Sequence, residues 1–319
     1  MEKFDCTVIG DVILDVFVEK ARPQISRLRR GTSYCGSAKI DFGGAGNVAS
    51  GLSVLGGNVL FIGKAGDDLW GKVYELDLAT NNVTTNIFFA KGISTGLAFV
   101  TAEKEGERSF RVFRGANDEL QAAEVNLSAK LLRRSEYLYF SGYSLVSNPQ
   151  KEAILHAINI ARRHGVKVVF DPGAHNLIKS DFELFKRLLD ICDVFCPNLE
   201  EAKAITKTNR LETAIKKLQR KDKLTALKCG EDGCILIKED ELFKIKGFRV
   251  DRLDTTGAGD AFAAALIYGL LKNLPPRETG RLANWFAAYT VKSMGARTFA
   301  SKREINSYLR RSVKHHTCA

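Results

Sequence analysis

Nothing in the sequence reads as a membrane span or a secretory signal. Its longest apolar run, residues 261–271, is well short of the roughly 20 consecutive apolar residues a bilayer span needs. Residues 1–10 carry acidic and polar groups where a secretory signal has an apolar stretch. The seven cysteines are odd in number and match no disulfide or zinc framework. Cys192 and Cys196 stand four apart, but no second pair or nearby histidine completes a metal site. The expectation is a cytoplasmic protein whose cysteines are packing residues. No internal repeat and no low-complexity segment is present.

No basic stretch is interleaved with aromatics. The net charge of +11 is spread along the chain, with small clusters at 27–30, 216–223 and 310–314. Such a balance attracts anionic small molecules as readily as nucleic acid, and scattered cations argue against nucleic acid as the main partner. With 319 residues, 45% hydrophobic, the chain can bury a full core without disulfides or metals.

A strand-like run at 6–9 ends in Gly10-Asp11, and apolar residues then alternate through Val12, Leu14, Val16 and Val18. A polar, basic stretch covers 19–39. The cluster Gly43-Gly44-Ala45-Gly46 leads into a helix-like segment at 47–55, and a further strand follows at 59–63. Short β-type runs at 87–89, 96–101 and 109–113, separated by turns, read as antiparallel hairpins. Beyond residue 136 strands and helices alternate: strands at 137–141, 166–171, 194–197, 225–228 and 234–237, helices at 151–164, 181–189, 199–205 and 211–220. Regular alternation implies a parallel sheet covered on both faces. The hairpins and the basic stretch fall outside it and read as a small β lid inserted into the α/β domain.

The strongest chemical signal is Asp254-Thr255-Thr256-Gly257-Ala258-Gly259-Asp260, followed by an apolar helix. Glycines let a backbone turn tightly and approach a ligand. The helix start offers free N–H groups and a positive dipole end. Together they form a cradle for phosphate oxygens or for developing negative charge. Asp260 at the helix start is either an N-cap or a general base.

This motif, with Ala261-Phe262 after it, resembles the C-terminal signature of the ribokinase-like, or phosphofructokinase-B type, carbohydrate kinases. Gly43-Gly44-Ala45-Gly46-Asn47-Val48-Ala49 and Gly63-Lys64-Ala65-Gly66-Asp67-Asp68 resemble the family's N-terminal signature. Pro197-Asn198-Leu199-Glu200-Glu201 resembles its Asn-x-x-Glu motif, and Lys228-Cys229-Gly230-Glu231-Asp232-Gly233 its Gly-x-x-Gly phosphate loop. The four motifs occur in the family's order across nearly the whole chain. The resemblance implies a ribokinase-like three-layer αβα fold with a mostly parallel central sheet. One kinase domain would span 1–319, with the lid formed by about 15–40 and 87–114 within it. The implied activity is ATP-dependent phosphorylation of a hydroxyl on a small sugar or sugar acid, with Mg²⁺ as cofactor.

Residue by residue, the resemblance makes Asp260 the catalytic base and Gly257, Ala258 and Gly259 the anion hole around the transferring group. Asn198 and Glu201 would organise Mg²⁺, largely through water, and the triphosphate; the same pair reads as a capping box. Gly230 and Gly233 would bring N–H groups to the phosphates. Lys228 stands where many relatives have threonine and either pairs with a phosphate or faces solvent. Asn284 resembles a position near the adenine. Asp15, Gly43, Gly44 and Asn47 match the sugar-binding end, where a carboxylate and an amide suit hydroxyls. Arg114 stands where ketodeoxygluconate kinases meet a substrate carboxylate; the plain alternative is a surface arginine. Asp254 and Thr256 resemble part of a monovalent-cation site, pointing to K⁺, although Phe299 stands near where a serine is common.

Ribokinases carry asparagine two residues before the acceptor aspartate, and here it is Ile13, which removes a contact to ribose. Residues 10–15 look more like the start of heptose-phosphate kinases. The alternatives are a nucleoside kinase of the same family, with Tyr34, Phe42 and Phe110 facing the acceptor, and a binding regulator without chemistry. A dinucleotide-binding oxidoreductase fits poorly, since no Gly-x-Gly-x-x-Gly follows the first strand. The exposed edges of a β lid suggest a homodimer joined through it.

Overall fold

A computed structural model describes residues 3–18, 36–102 and 108–314. In chain order, β1 (Phe4–Ile9) opens a large sheet, and β2 (Val12–Val18) and β3 (Ala38–Gly44) leave it. The helix α1 (Gly46–Val54), the strand β4 (Val59–Gly66), the helix α2 (Leu69–Thr80) and the strand β5 (Val83–Ala90) return to it. The strands β6 (Gly96–Ala102) and β7 (Arg108–Phe113) join β2 and β3 in a second, four-stranded sheet, ordered β3-β2-β6-β7. Then come α3 (Ala122–Leu132), β8 (Ser135–Ser141), α4 (Gln150–Arg163), β9 (Lys167–Asp171), α5 (His175–Ser180), α6 (Phe182–Ile191), β10 (Val194–Phe195), α7 (Leu199–Thr206), α8 (Leu211–Leu218) and β11 (Leu224–Lys228). The hairpin β12 (Cys234–Lys238) and β13 (Glu241–Ile245) and the helices α9 (Ala258–Leu271), α10 (Pro276–Thr290) and α11 (Lys302–Lys314) complete it.

The large sheet has the order β13-β12-β11-β10-β9-β8-β1-β4-β5. Every pairing from β11 to β5 is parallel, and only β12 and β13 run antiparallel at one edge. Its strands are apolar on both faces because helices cover both. Tyr137 and Tyr139 of β8 enter one core with α1, α9 and α10, whereas Leu138 and Phe140 enter the other with α4 and α6. The helix α9 is apolar all round, Ala261 to Gly269 being buried, because it lies between α1 and α10.

Two expectations change. Residues 87–89 belong not to the lid but to β5, at the edge of the large sheet, paired in parallel register with β4. A half-exposed parallel edge strand with polar residues at 84–86 carries the same alternating signal as a hairpin strand. The lid is also not a run of hairpins: β2–β3 and β6–β7 are antiparallel, but β2 and β6 join them in parallel. Lid positions 19–35 and 103–107 lie outside the described residues.

Phe170 is fully buried, stacked on Phe140 at 4.9 Å and against Phe185 and Phe195 at 5.7 and 5.6 Å. Phe170→Ala should cost about 3–5 kcal/mol of stability in chemical denaturation. A loss below about 1 kcal/mol would show that this cluster is not packed as described.

Candidate active site

Parallel strands of an α/β sheet present their carboxyl ends to one crevice. Here β9 ends in Asp171, β10 leads through Pro197 to Asn198, and β11 ends in Lys228. Lys228 N–H donates to Pro197 O at 2.8 Å, and an isolated bridge pairs Asn198 with Lys228, carrying the sheet up to the site. A cavity of about 840 Å³ opens there, walled by Asp171, Asn198, Lys228, the 230–233 turn, the 247–252 segment, the start of α9 and the second half of α10.

The helix α9 begins at Gly257, which is left-handed at φ +78°, and a Cβ there would lie 2.6 Å from Ala296 O. Only glycine serves at that point. The first intrahelical bond is Ala261 N–H to Gly257 O at 2.9 Å, and Ala258 N–H donates to Thr255 O at 3.3 Å, so the N–H groups of Gly259 and Asp260 precede the helical ladder. A Cβ on Gly259 would meet only Lys228 Nζ, at 3.7 Å, so an ammonium flanks the turn. Asp260 is the third helical residue and not the cap. Its Oδ2 accepts from Asn47 Nδ2 at 2.9 Å. Burial pushes its carboxyl up to about 6, with Asp171 adding to the rise and Asn47, Lys228 and Arg297 opposing it.

Asp15 lies on β2 directly opposite Asp41 of β3, is buried, and packs on Gly43, whose Cβ would sit 2.5 Å from its Oδ2. Burial and the charges of Asp260 and Asp41 push it up to about 7, against the pull of Arg297. Gly44 is left-handed at φ +67°, and Tyr74 Oη donates to Gly43 O at 2.6 Å, holding the turn. The structure thus brings Asp15, Gly43, Asn47 and Asp260 together.

On the other side, Asn198 and Glu201 form a reciprocal capping box at the start of α7. Glu201 accepts from Asn198 N–H at 2.8 Å and Nδ2 at 2.6 Å. Glu201 is buried, which pushes its carboxyl up; Lys228 pulls it down and Asp171 pushes it further. Lys228 does not face solvent: its ammonium pairs with Asp171 at 2.6 Å inside the cavity. Burial works against the Lys228 ammonium, but the charges of Asp171 and Glu201 outweigh it and hold its pKa above the ordinary lysine value. Gly233 N–H bonds back to Gly230 O at 3.2 Å, so Gly233, at φ +99°, shapes the turn rather than offering a donor. Gly230, at φ +61°, has open space before it. Asn284 lines the cavity but directs its Nδ2 to Ile245 O and Lys246 O, at 3.1 and 3.2 Å.

Arg114 does not meet the expectation placed on it. Its Nε donates to Asp118 at 2.6 Å, one terminal nitrogen to Asp11 and Tyr143 O at 3.2 and 2.9 Å, and the other to Asp11 at 3.3 Å and to Gln150. A guanidinium has five N–H donors, and these contacts engage all of them. Asp254 Oδ1 and Oδ2 accept from Thr256 N–H at 2.7 Å and Gly295 N–H at 2.9 Å, tying the glycine turn to the 295 turn. Among the aromatics, Phe42 faces away from Asp15 and packs edge-on to Tyr74 at 5.7 Å. Phe110 shares the lid face of Asp15 and is exposed. Tyr34 lies outside the described residues.

Two site residues were missed. Asp171 closes a parallel strand, and an acidic residue at a strand's carboxyl end is a readable signal. Arg297 donates to Asn47 Oδ1 at 2.9 Å across 250 residues of chain, and nothing local marks it.

A half-buried carboxylate beside a glycine-built helix start, under a separate small sheet, is the equipment of a phosphotransferase acting on an alcohol. The chain belongs to the pfkB family of carbohydrate kinases, whose family model matches residues 3–303, and it is therefore a phosphotransferase acting on a sugar hydroxyl. It is 32% identical over 275 residues to a probable fructokinase-2 of Arabidopsis thaliana, covering 82% of this chain and 84% of that one. An adenosine kinase from Sinorhizobium meliloti superposes with a TM-score of 0.86 at 25% identity, over 98% of this chain and 100% of that one. A putative ribokinase II from E. coli in complex with ATP and Mg²⁺ gives 0.83 at 22% identity, over 97% and 99%, and shares the fold. ATP and Mg²⁺ fit this family. No helix among the described residues is long and apolar enough to cross a membrane.

With Asp260 near 6, a mechanism that needs it ionised loses activity as pH falls. kcat/KM should be level at neutral pH and drop about tenfold per unit below about pH 6. A pH–rate profile that stays flat down to pH 5 would contradict this.

Proposed function

We propose that this chain transfers the γ-phosphoryl group of ATP to a hydroxyl of a neutral hexose of the fructose type, with Asp260 as general base. The observation that carries the reading is Asp260 itself, on the wall of the cavity in the first turn of α9 and held by Asn47. The fructokinase relatives support a hexose. A neutral one is favoured because the donors of Arg114 are engaged, which leaves a sugar acid without that cation.

ATP would lie between the Gly230 turn and the α9–α10 pair, with its adenine toward Asn284. The amides at Gly257, Ala258 and Gly259 would stabilise charge on the transferring group. Asp260 takes the hydroxyl proton as the new O–P bond forms and the bond to the departing ADP breaks. Its value near 6 leaves it ionised at neutral pH yet basic enough to accept that proton. Asp15 and Asn47 would orient the sugar.

At the ends of β9 to β11 the cavity wall carries the carboxylates Asp171 and Glu201 beside the ammonium of Lys228. These hard oxygen donors, too few for an all-protein cage, fit a mostly hydrated Mg²⁺ at Asn198 and Glu201. When bound, Mg²⁺ neutralises charge on the triphosphate. Asp254 and Thr256 are the candidates for a monovalent-cation site, which a K⁺ titration of the rate addresses. Ile40, Phe99 and Phe113 are exposed on the lid face opposite Asp15 and support a homodimer through the lid. Unpaired cysteines such as Cys6 and Cys234 agree with a cytoplasmic setting.

Asp260→Asn should fold normally, bind ATP as the wild type does in calorimetry, and lose about 10³-fold in kcat. A variant turning over near the wild-type rate would remove Asp260 as the base. A panel of fructose, other hexoses, sugar acids, sugar phosphates and adenosine reads the acceptor. Fructose or another hexose is expected, and a preference for adenosine would replace the hexose with a nucleoside.

A further inference from the structure

Arg297 reaches the acceptor side of the site from the segment between α10 and α11. Its side chain is 8% exposed. The guanidinium lies 5.1 Å from the ring centre of Phe42 and 5.0 Å from that of Tyr74, and it pairs with Asp77 of α2. Gly46 leaves room for it, since a Cβ there would sit 2.5 Å from its outer nitrogen.

The consequential contact is Arg297 Nε to Asn47 Oδ1, at 2.9 Å. A guanidinium donates only, so it can be met only by the amide oxygen. The amide nitrogen is thereby turned the other way, where it donates to Asp260 Oδ2 at 2.9 Å. That donor favours the ionised carboxylate. A reversed amide would set its oxygen against a carboxylate oxygen, an arrangement stable only if the carboxyl held a proton. The orientation of one amide thus decides whether Asp260 is kept as a base or as an acid, and Arg297 sets that orientation.

We propose that Arg297 is a positioning residue for the phosphoryl transfer: by locking the Asn47 amide it presents Asp260 ionised and aimed at the acceptor hydroxyl. This rests on the reading of Asp260 as the base. A second observation separates the role from plain packing. The outer nitrogen of Arg297 is enclosed with no hydrogen-bond partner, a penalty that a residue present only to fill the space between two rings would avoid.

The other groups bearing on Asp260 do not substitute for it. Asp15 of β2 and Asp171 of β9 face it as like charges, and Tyr139 and Tyr143 contribute no positive charge. Lys228 of β11 favours ionisation but is paired with Asp171. Without Arg297 and the ordered Asn47 donor, burial and the neighbouring carboxylates drive Asp260 toward its protonated form.

The test uses Arg297→Lys, which keeps the charge and can keep the Asp77 pair but loses the rigid fork, and Arg297→Met combined with Asp77→Asn, which leaves no stranded carboxylate. Both should lower kcat by about 10- to 100-fold with KM for ATP unchanged. The acid limb of kcat/KM should move up by about half a unit or more. A drop in kcat that tracks the folded fraction, with the acid limb unmoved, would overturn the proposal. In the Asp260→Asn background, Arg297→Lys should cost little further activity, because the group it positions is gone. A full additive loss there would also overturn it. If Asp260→Asn alone stays active, the base assignment fails instead, and the two failures are told apart.

Discussion

The hydrogen bond between Asn47 and Asp260 spans the two halves of the site, and it depends on how closely two helices approach. One turn below Asn47 on α1 is Gly51, and one turn below Asp260 on α9 is Ala264. A Cβ on Gly51 would lie 3.1 Å from the Ala264 Cβ. Small residues at this crossing let the helix axes come together, and side chains four residues away then meet on the same face. The end proposed for the acceptor, carried by the lid strands and α1, is thereby set against the helix start that would hold the transferring group. A larger side chain at either crossing position would separate them.

Around this bond the site is built from carboxylates kept apart by single cations. Lys228 sits beside Asp171 and within reach of Glu201 on the side proposed for the nucleotide. Arg297 sits among Asp77, Asn47, Asp15 and Asp260. Burial raises Asp15 and Asp260 into the range where small changes in neighbouring charge alter their protonation. That makes the electrostatics around Asp15 and Asp260 sensitive to residues outside the cavity wall. It also accounts for a lid strand that places Asp41 opposite Asp15, with Lys39 bonded to Asp41 at 2.8 Å to relieve the repulsion.

Much of the architecture was legible in the chain. Continuous apolar strands such as 166–171, alternating with amphipathic helices, can only be a covered parallel sheet, and residues 151–164 and 211–220 mark their helices to within a few positions. The edge strand β5 was not legible, because an edge buries one face and its polar face reads like a hairpin. The helix α2 was overlooked for a related reason, since it buries only Gly71, Tyr74 and Leu78. Within the site, spacing marked the glycine turn at Gly257 but left Asp260 open between a cap and a base; the base reading came from the resemblance of the whole motif to the family's signature. Arg114 was misread because a guanidinium near a pocket looks the same in sequence whether its donors are vacant or, as here, engaged by Asp11, Asp118 and Gln150.

Local chemistry is written locally. The left-handed turn at Gly257, the helix that follows it and the Asn198–Glu201 cap each involve residues within a few positions of one another, so adjacency in the chain is enough to specify them. The pairing of Lys228 with Asp171 and the locking of Asn47 by Arg297 join residues 57 and 250 positions apart. No periodicity or spacing encodes such contacts. They arise only when the sheet order and the helix crossing have placed those side chains in one crevice, where burial makes the partner of each charge and the direction of each amide matter.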